Sequence, residues 1–368
     1  MQTNTQSFFI RLPMALISII GALFLAVEGK DLFMPLAMAL IIALMLYPLH
    51  RFLENKLKMP TAIAALMSIV ALVVGSTMVV VLLTDQFTEF FQNFPDLQMR
   101  FQLTIHELQH WVSAKLHITR AQQSDYLEKA GAEIMQKLAG GVSVFFLSLS
   151  HTLFLVVFIL IYTFFILFYH KLLCQFAVRL FKDDHSVKVK AVLSDTKNMV
   201  GGYVLGLLTE MLVMGVANSV LLLVIKAPYA LLLGVMAAVL NIVPYVGIYF
   251  SIALIMFLTF AYTNGTIALE AGVGMMILHM IDSNILLPKI VGSRVKMNSF
   301  VTIIVVVLGE FIWGIPGMFL FIPLAGIAKL IFERVEGMEP WAMVMGVPEK
   351  KQKKNKSLPQ VEQAVENE

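Results

Sequence analysis

The chain has 368 residues, of which 59% are hydrophobic and only 14% are charged, whereas an ordinary soluble domain has about 25% charged residues. A soluble fold cannot bury so much apolar surface, so the composition excludes one and predicts an integral membrane protein. The net charge of +3 is too small to indicate a nucleic-acid partner. The single cysteine, Cys174, excludes an internal disulfide bond.

Six apolar stretches each have a length that suits one crossing of a bilayer. The two nearest the N-terminus are close to the lower limit of length, and the fourth is long enough to require tilt or extension beyond the bilayer. In chain order these stretches are 12–27, 32–47, 61–83, 142–169, 204–225 and 267–287.

Two further apolar stretches, 229–262 and 300–331, are too long for one crossing and are interrupted near their centres. The first is interrupted by the sequence Asn-Ile-Val-Pro-Tyr-Val-Gly at 241–247, and the second by Gly-Glu-Phe-Ile-Trp-Gly-Ile-Pro-Gly at 309–317. Proline removes a backbone donor and glycine frees the backbone dihedrals, so helices end at such sequences. The sequence therefore predicts two hairpins made of broken helices.

The distribution of Lys and Arg predicts the topology. The loops 50–59 and 171–197 are rich in basic residues, as is the tail at 350–356, so we expect these segments and both termini to be cytoplasmic. Re-entrant hairpins would also place the basic segment 289–296 inside, which favours them over fully crossing hairpins, although both remain open. The segment 84–140 has an excess of acidic residues and suits the outer side.

These patterns divide the chain into five parts. We expect N-terminal transmembrane helices at 1–83, an extramembrane amphipathic helical insert at 84–140, and a long transmembrane helix with a cytoplasmic connector at 141–199. A C-terminal transport core with both hairpins follows at 200–335, and a largely disordered, basic cytoplasmic tail at 336–368.

One motif favours an enzyme instead. His106, Glu107 and His110 form an H-E-x-x-H sequence, which on a helix holds zinc with two histidines while the glutamate activates water. A working site also needs a third protein ligand, and neither Glu128 nor Glu133 downstream belongs to a recognisable ligand motif. We therefore treat a membrane zinc metalloprotease as an alternative and predict a surface helix here.

Ionisable side chains within membrane spans are costly, and they usually face the protein interior or a water path. Broken helices in membrane proteins also mark solute sites, because they expose helix-dipole ends and free backbone groups. Two groups of candidate pathway residues follow from these rules. The ionisable candidates are Glu210, His279, Asp282 and Glu310, with Glu270 nearer an interface, and the candidates at the first break are Asn241, Pro244, Tyr245 and Gly247.

The C-terminal half resembles the AI-2 exporter (AI-2E) superfamily of bacterial membrane proteins. The resemblance rests on four blocks in the family's order: Gly-Gly-Tyr-Val-Leu-Gly at 201–206, Ala-Pro-Tyr-Ala-Leu-Leu-Leu-Gly at 227–234 with the break at 241–247, Leu-Pro-Lys-Ile-Val-Gly at 287–292, and Trp-Gly-Ile-Pro-Gly-Met-Phe-Leu-Phe-Ile-Pro-Leu at 313–324. It implies an all-α transporter of about eight membrane segments in the bacterial inner membrane, assembled as a homo-oligomer. It also implies export of autoinducer-2 or exchange of sodium or lithium for protons.

We therefore predict a secondary transporter rather than an enzyme, with no cofactor and no bound metal. Its expected partners are the lipid bilayer, a small polar solute and Na⁺ or H⁺. Asn241 and Tyr245 are expected to contact the solute, and Asp282 with Glu310 to carry the coupling, with Glu210 and His279 as second choices. A membrane scaffold that transports nothing is a further alternative.

Overall fold

The computed structural model describes residues 8–93, 152–181, 186–244, 246–292, 295 and 297–347. Within these residues every regular element is a helix and there is no β-strand, which confirms the predicted all-α class. The helices are α1 (Phe8–Glu28), α2 (Lys30–Asn55), α3 (Thr61–Gln92), α4 (Thr152–Phe168), α5 (His170–Arg179), α6 (Ser186–Val224), α7 (Ala230–Leu240), α8 (Val246–Tyr262), α9 (Gly265–Ile281), α10 (Ser299–Trp313), α11 (Ile315–Phe332) and α12 (Glu339–Met345).

Several of these helices have the length and apolar composition of membrane spans. Among the described residues, five helices are each long and apolar enough to cross a membrane, namely α2, α3, α6, α9 with its continuation to Val291, and α11. The pair α4 and α5 makes a sixth if the 68° bend between them lies within one span. The expected total of about eight segments thus remains a prediction. Large apolar side chains such as Val74, Met78 and Leu82 on α3 are exposed, and lipid acyl chains are the surroundings that suit them.

The first predicted helix break is present. Helix α7 ends at Leu240 and α8 begins at Val246, so the interruption falls within the predicted sequence 241–247. Turn-type hydrogen bonds from the amides of Ile242 and Val243 to the carbonyls of Val239 and Leu240 tighten the chain there. Pro244 then has no amide hydrogen with which to continue a helix.

The second predicted break is narrower than expected. Helix α10 continues through Trp313 and only Gly314 separates it from α11. The two helices then fold back on each other at their glycines, since a β-carbon on Gly317 would lie 1.9 Å from the carbonyl oxygen of Gly309. Backbones approach this closely only where neither residue has a side chain.

Gly314 has φ 65° and ψ −148°, a conformation that residues with a β-carbon rarely adopt. We expect Gly314→Ala to lower the free energy of unfolding by about 1–3 kcal/mol, visible as a lower melting temperature of the detergent-solubilised protein. Gly21→Ala is the matched control, because Gly21 lies within α1 and a β-carbon there meets nothing within 4 Å. An unchanged melting temperature for Gly314→Ala would show that the turn tolerates a side chain.

Helix α6 is the centre of the described structure and packs against α2, α7, α9 and α11. Three buried apolar clusters surround it or lie beside it. The first joins α6 through α9 around Ile255 and Met275, and the second joins α2, α6 and α11 around Val200 and Leu320. The third joins α2, α3 and α4 around Leu167. The candidate site lies between the first two clusters.

The start of the predicted tail, 336–368, contains a short helix. Within 336–368, helix α12 forms and its end is tied to the start of α10. The backbone amide of Asn298 donates to the carbonyl of Met345 (3.0 Å), and the Asn298 side chain donates to the carbonyl of Val344. Nothing in the local sequence indicates this contact, because it joins residues far apart in the chain.

Candidate functional site

A side chain of α6 contacts one side chain from the end of α7 and one from the residue that follows α9. Glu210 comes from the middle of α6, Asn241 from the end of α7, and Asp282 from the residue that follows α9. The side-chain amide of Asn241 donates to Glu210 Oε1 (2.7 Å) and to Asp282 Oδ2 (3.1 Å). One amide group therefore holds two carboxyl groups together.

The two carboxyl groups are almost completely enclosed. Glu210 and Asp282 are each only 2% exposed. The second oxygen of Asp282, Oδ1, is buried and has no hydrogen-bond partner among the described residues. A buried carboxyl oxygen without a donor is costly, and a proton or a cation bound there would remove that cost.

The local backbone conformation positions Asp282, after α9, and Asn241, after α7, beside Glu210. At Asp282 the helix widens from α9 into π-helical turns, Asp282–Leu286 and Pro288–Gly292. π-Helical turns are rare and occur frequently at functional sites. On the opposite wall, the end of α7 turns the chain at Asn241 instead of continuing the helix.

A cavity of about 360 Å³ opens beside the three side chains. Its wall is polar on the side of Glu210, Asn241 and Asp282 and mainly apolar elsewhere. None of its lining residues within the described chain is Lys or Arg. The lining comes from α6, both hairpins, α9 and the π-helical turns, and comprises Tyr203, Leu207, Glu210, Asn241, Ile242, Pro244, Ile248, Tyr249, His279, Asp282, Ser283, Leu287, Val291, Val295, Met297, Thr302 and Ile322.

The structure brings five of the predicted pathway residues to this cavity: Glu210, Asn241, Pro244, His279 and Asp282. His279 lies one turn before Asp282 and its ring packs edge-on against Tyr249 (6.1 Å between ring centroids). Its Nδ1 atom is buried without a hydrogen-bond partner in the described structure.

Two other predicted residues, Gly247 and Glu310, do not line the cavity. Gly247 is buried at the start of α8, and a β-carbon there would meet the carbonyl oxygen of Leu240, so its position serves the break rather than the cavity wall. Glu310 is exposed near the end of α10 and is not part of the cavity lining. Tyr245 lies outside the described residues, as does the motif of His106, Glu107 and His110.

Several polar residues that line the cavity were not among the predicted pathway residues, and they include Tyr203, Tyr249, Ser283 and Thr302. For Tyr203 a signal existed, because it precedes Glu210 by two helical turns and so shares its face of α6. It is only 4% exposed. Thr302 had no such signal, since it reaches the cavity from the second hairpin.

Comparisons with a family model and with individual proteins both identify transport proteins as similar to this chain. The family described as AI-2E family transporter matches residues 12–337. The chain is 26% identical over 315 residues to the Bacillus subtilis (strain 168) protein named "Putative transport protein YueF", covering 82% of this chain and 84% of that protein. It is 23% identical over 321 residues to the Escherichia coli (strain K12) protein named "Putative transport protein YhhT", covering 86% and 89%.

Proposed function

Since the chain belongs to the AI-2E transporter family, we propose that it is a secondary transporter whose solute pathway includes the cavity beside Glu210, Asn241 and Asp282. The observation that carries this proposal is the bridge from the Asn241 amide to two carboxyl groups that are each 2% exposed. A site that only stabilised the fold would need neither two enclosed acids nor an open space beside them.

The carboxyl pair is the coupling element of the proposed transporter. Two negative charges held by one amide repel each other, and a low-dielectric site strengthens that repulsion. No Lys or Arg of the described cavity lining compensates them. A proton or a small cation between Glu210 and Asp282 relieves the repulsion, so its binding and release change the charge of the pathway.

The cavity indicates the class of solute. Its volume of about 360 Å³ lies at the small end of the range for ligand pockets. Its polar wall can hydrogen-bond hydroxyl groups, and its apolar wall suits the carbon skeleton of a small molecule. We propose a small polar solute of the autoinducer-2 kind, exported in exchange for protons, or sodium or lithium exchanged directly for protons.

The residues then divide between two roles. Asn241 contacts the solute or the bound cation, and Tyr245 at the same break is proposed to contact the solute as well. Glu210 and Asp282 carry the coupling, with His279 as a neighbouring proton acceptor. Glu310, which the sequence analysis paired with Asp282, has no part in this scheme because it does not line the cavity.

The experiment that tests this proposal uses the purified full-length protein in liposomes that contain a pH-sensitive dye. The liposomes are challenged in turn with sodium, lithium and autoinducer-2, each with a protein-free control. The proposal predicts proton movement that depends on at least one of these solutes. If none moves protons and none is itself transported by protein shown to be folded, the proposal is wrong and a membrane scaffold becomes the better explanation.

We also expect a homo-oligomer in the bacterial inner membrane with both termini in the cytoplasm. The basic loops between α2 and α3 and around α5 support that orientation. Protease accessibility of a C-terminal epitope in right-side-out and inside-out vesicles measures it. Cleavage from inside-out vesicles alone is the expected result, and cleavage from right-side-out vesicles alone would place the tail outside.

A further inference from the structure

A second cluster of ionisable side chains comes from parts of the sequence that do not line the transport cavity. His50 and Glu54 lie one turn apart near the end of α2, and His170 is the first residue of α5. One potential ligand atom from each of the three side chains lies within 4.8 Å of the others. Two imidazoles and one carboxylate form a ligand set that zinc takes in proteins.

His50 is the residue that most needs an explanation. It is completely buried, yet neither ring nitrogen has a hydrogen-bond partner in the described structure, although the backbone carbonyl of Ala64 lies nearby. Its Nε2 atom is 3.9 Å from Glu54 Oε2, which is too far for a hydrogen bond. A buried imidazole without a partner is costly, and a metal ion would satisfy it.

The neighbours of His170 and Glu54 leave the correct atoms free. His170 Nδ1 lies 2.7 Å from the carbonyl oxygen of Leu167. A carbonyl only accepts, so Nδ1 carries a proton; in a neutral ring this leaves the lone pair on Nε2, which is the arrangement found in metal-binding histidines. Glu54 Oε1 accepts from Thr61 Oγ1 (2.8 Å) and from Lys171 Nζ (2.6 Å), which leaves Oε2 for a further ligand.

From this geometry we propose that His50, Glu54 and His170 bind a divalent transition-metal ion of the zinc class. Atoms around tetrahedral zinc are about 3.3 Å apart, so the three ligand atoms, which now lie within 4.8 Å of one another, move closer by at most about 1.5 Å on binding. Water takes the fourth position. The ion would tie α2 to the point where α4 and α5 bend by 68°, and thereby fix that bend.

The test must exclude zinc binding by the H-E-x-x-H motif, whose histidines are His106 and His110. The full-length protein therefore carries His106→Ala and His110→Ala, its affinity tag is removed, and it is stripped with a chelator. Zn²⁺ is then titrated against a chromophoric competitor, and Co²⁺ binding is followed by its visible absorption, which is intense only in a tetrahedral site. We expect one Zn²⁺ per chain, a tetrahedral Co²⁺ spectrum and a higher melting temperature with Zn²⁺.

In the same background, His170→Gln and Glu54→Gln should each weaken Zn²⁺ binding by about 100-fold or more, since loss of an outer-shell partner alone costs 10–100-fold. Glu270→Gln is the matched carboxylate control, because Glu270 is exposed on α9, and it should bind Zn²⁺ like the background. No Zn²⁺ bound by folded background protein, or equal affinity after both ligand substitutions, would overturn the proposal. Because the Co²⁺ spectrum of the background needs no ligand variant, the test holds even if one variant does not fold.

Discussion

Asp282→Asn is expected to reduce solute-dependent proton movement to the level of protein-free liposomes. The substitution keeps the shape of the side chain but removes the carboxyl group whose Oδ1 has no partner. Asn241 would then bridge one carboxyl group and one amide, so the repulsion between two carboxylates that a bound proton or cation relieves would be lost. The measurement is the initial rate of dye response at a fixed solute gradient.

Glu210→Gln should have the same effect, because Glu210 is the other carboxyl group held by Asn241. Glu270→Gln is the matched control. Glu270 lies on α9, the helix that ends just before Asp282, but its side chain is exposed and does not line the cavity. This variant should retain the wild-type rate. Normal proton coupling in both Asp282→Asn and Glu210→Gln would show that the pair is structural and that coupling resides elsewhere.

Gly317→Ala is expected to destabilise the second hairpin. A β-carbon at Gly317 would lie 1.9 Å from the carbonyl oxygen of Gly309, and that oxygen belongs to backbone that cannot rotate away. Helices α10 and α11 must therefore separate. Overpacking of this kind costs about 1–3 kcal/mol, which outweighs the gain of about 1 kcal/mol from the better helix propensity of alanine.

The measurement is the melting temperature of the detergent-solubilised protein, compared with that of Gly75→Ala. Gly75 lies within α3, and a β-carbon there meets nothing within 4 Å. Only the propensity gain applies at that position, so its melting temperature should stay the same or rise. Equal melting temperatures for Gly317→Ala and Gly75→Ala would mean that the two helices of the hairpin are not in close contact.

The helix breaks could be predicted from the sequence because their causes are local. Pro244 lacks an amide hydrogen and Gly314 adopts a positive φ, and both properties belong to the residue itself. The exact ends of the helices also depend on packing, so they were predicted less accurately. The second break is confined to Gly314, and Gly309 and Gly317, which the predicted break included, lie within the two helices and in close contact with each other.

The candidate site was predictable only in part. Glu210 and Asp282 stood out because ionisable residues in apolar spans are costly, but their meeting through Asn241 depends on how three elements pack. Glu310 had the same signal and lies outside the cavity. The cost of burying a charge indicates that a residue is unusual, whereas tertiary packing decides which unusual residues meet.

The cluster of His50, Glu54 and His170 shows the same limit. The one-turn spacing of His50 and Glu54 was visible in the sequence, but nothing local indicated that His170 would join them. The sequence analysis predicted no bound metal, and the proposed site would correct that prediction. The H-E-x-x-H motif, which does have the local signal for zinc, lies outside the described residues.

Blocking the cavity tests the central claim most directly. In protein with Cys174→Ser, which removes the only native cysteine, Ser283→Cys places one thiol on the cavity wall. Complete modification by a bulky, membrane-impermeant thiol reagent should stop solute-dependent proton movement, while the same reagent should leave the rate unchanged for Glu270→Cys in that background. Undiminished movement by fully modified Ser283→Cys protein would contradict a pathway through this cavity.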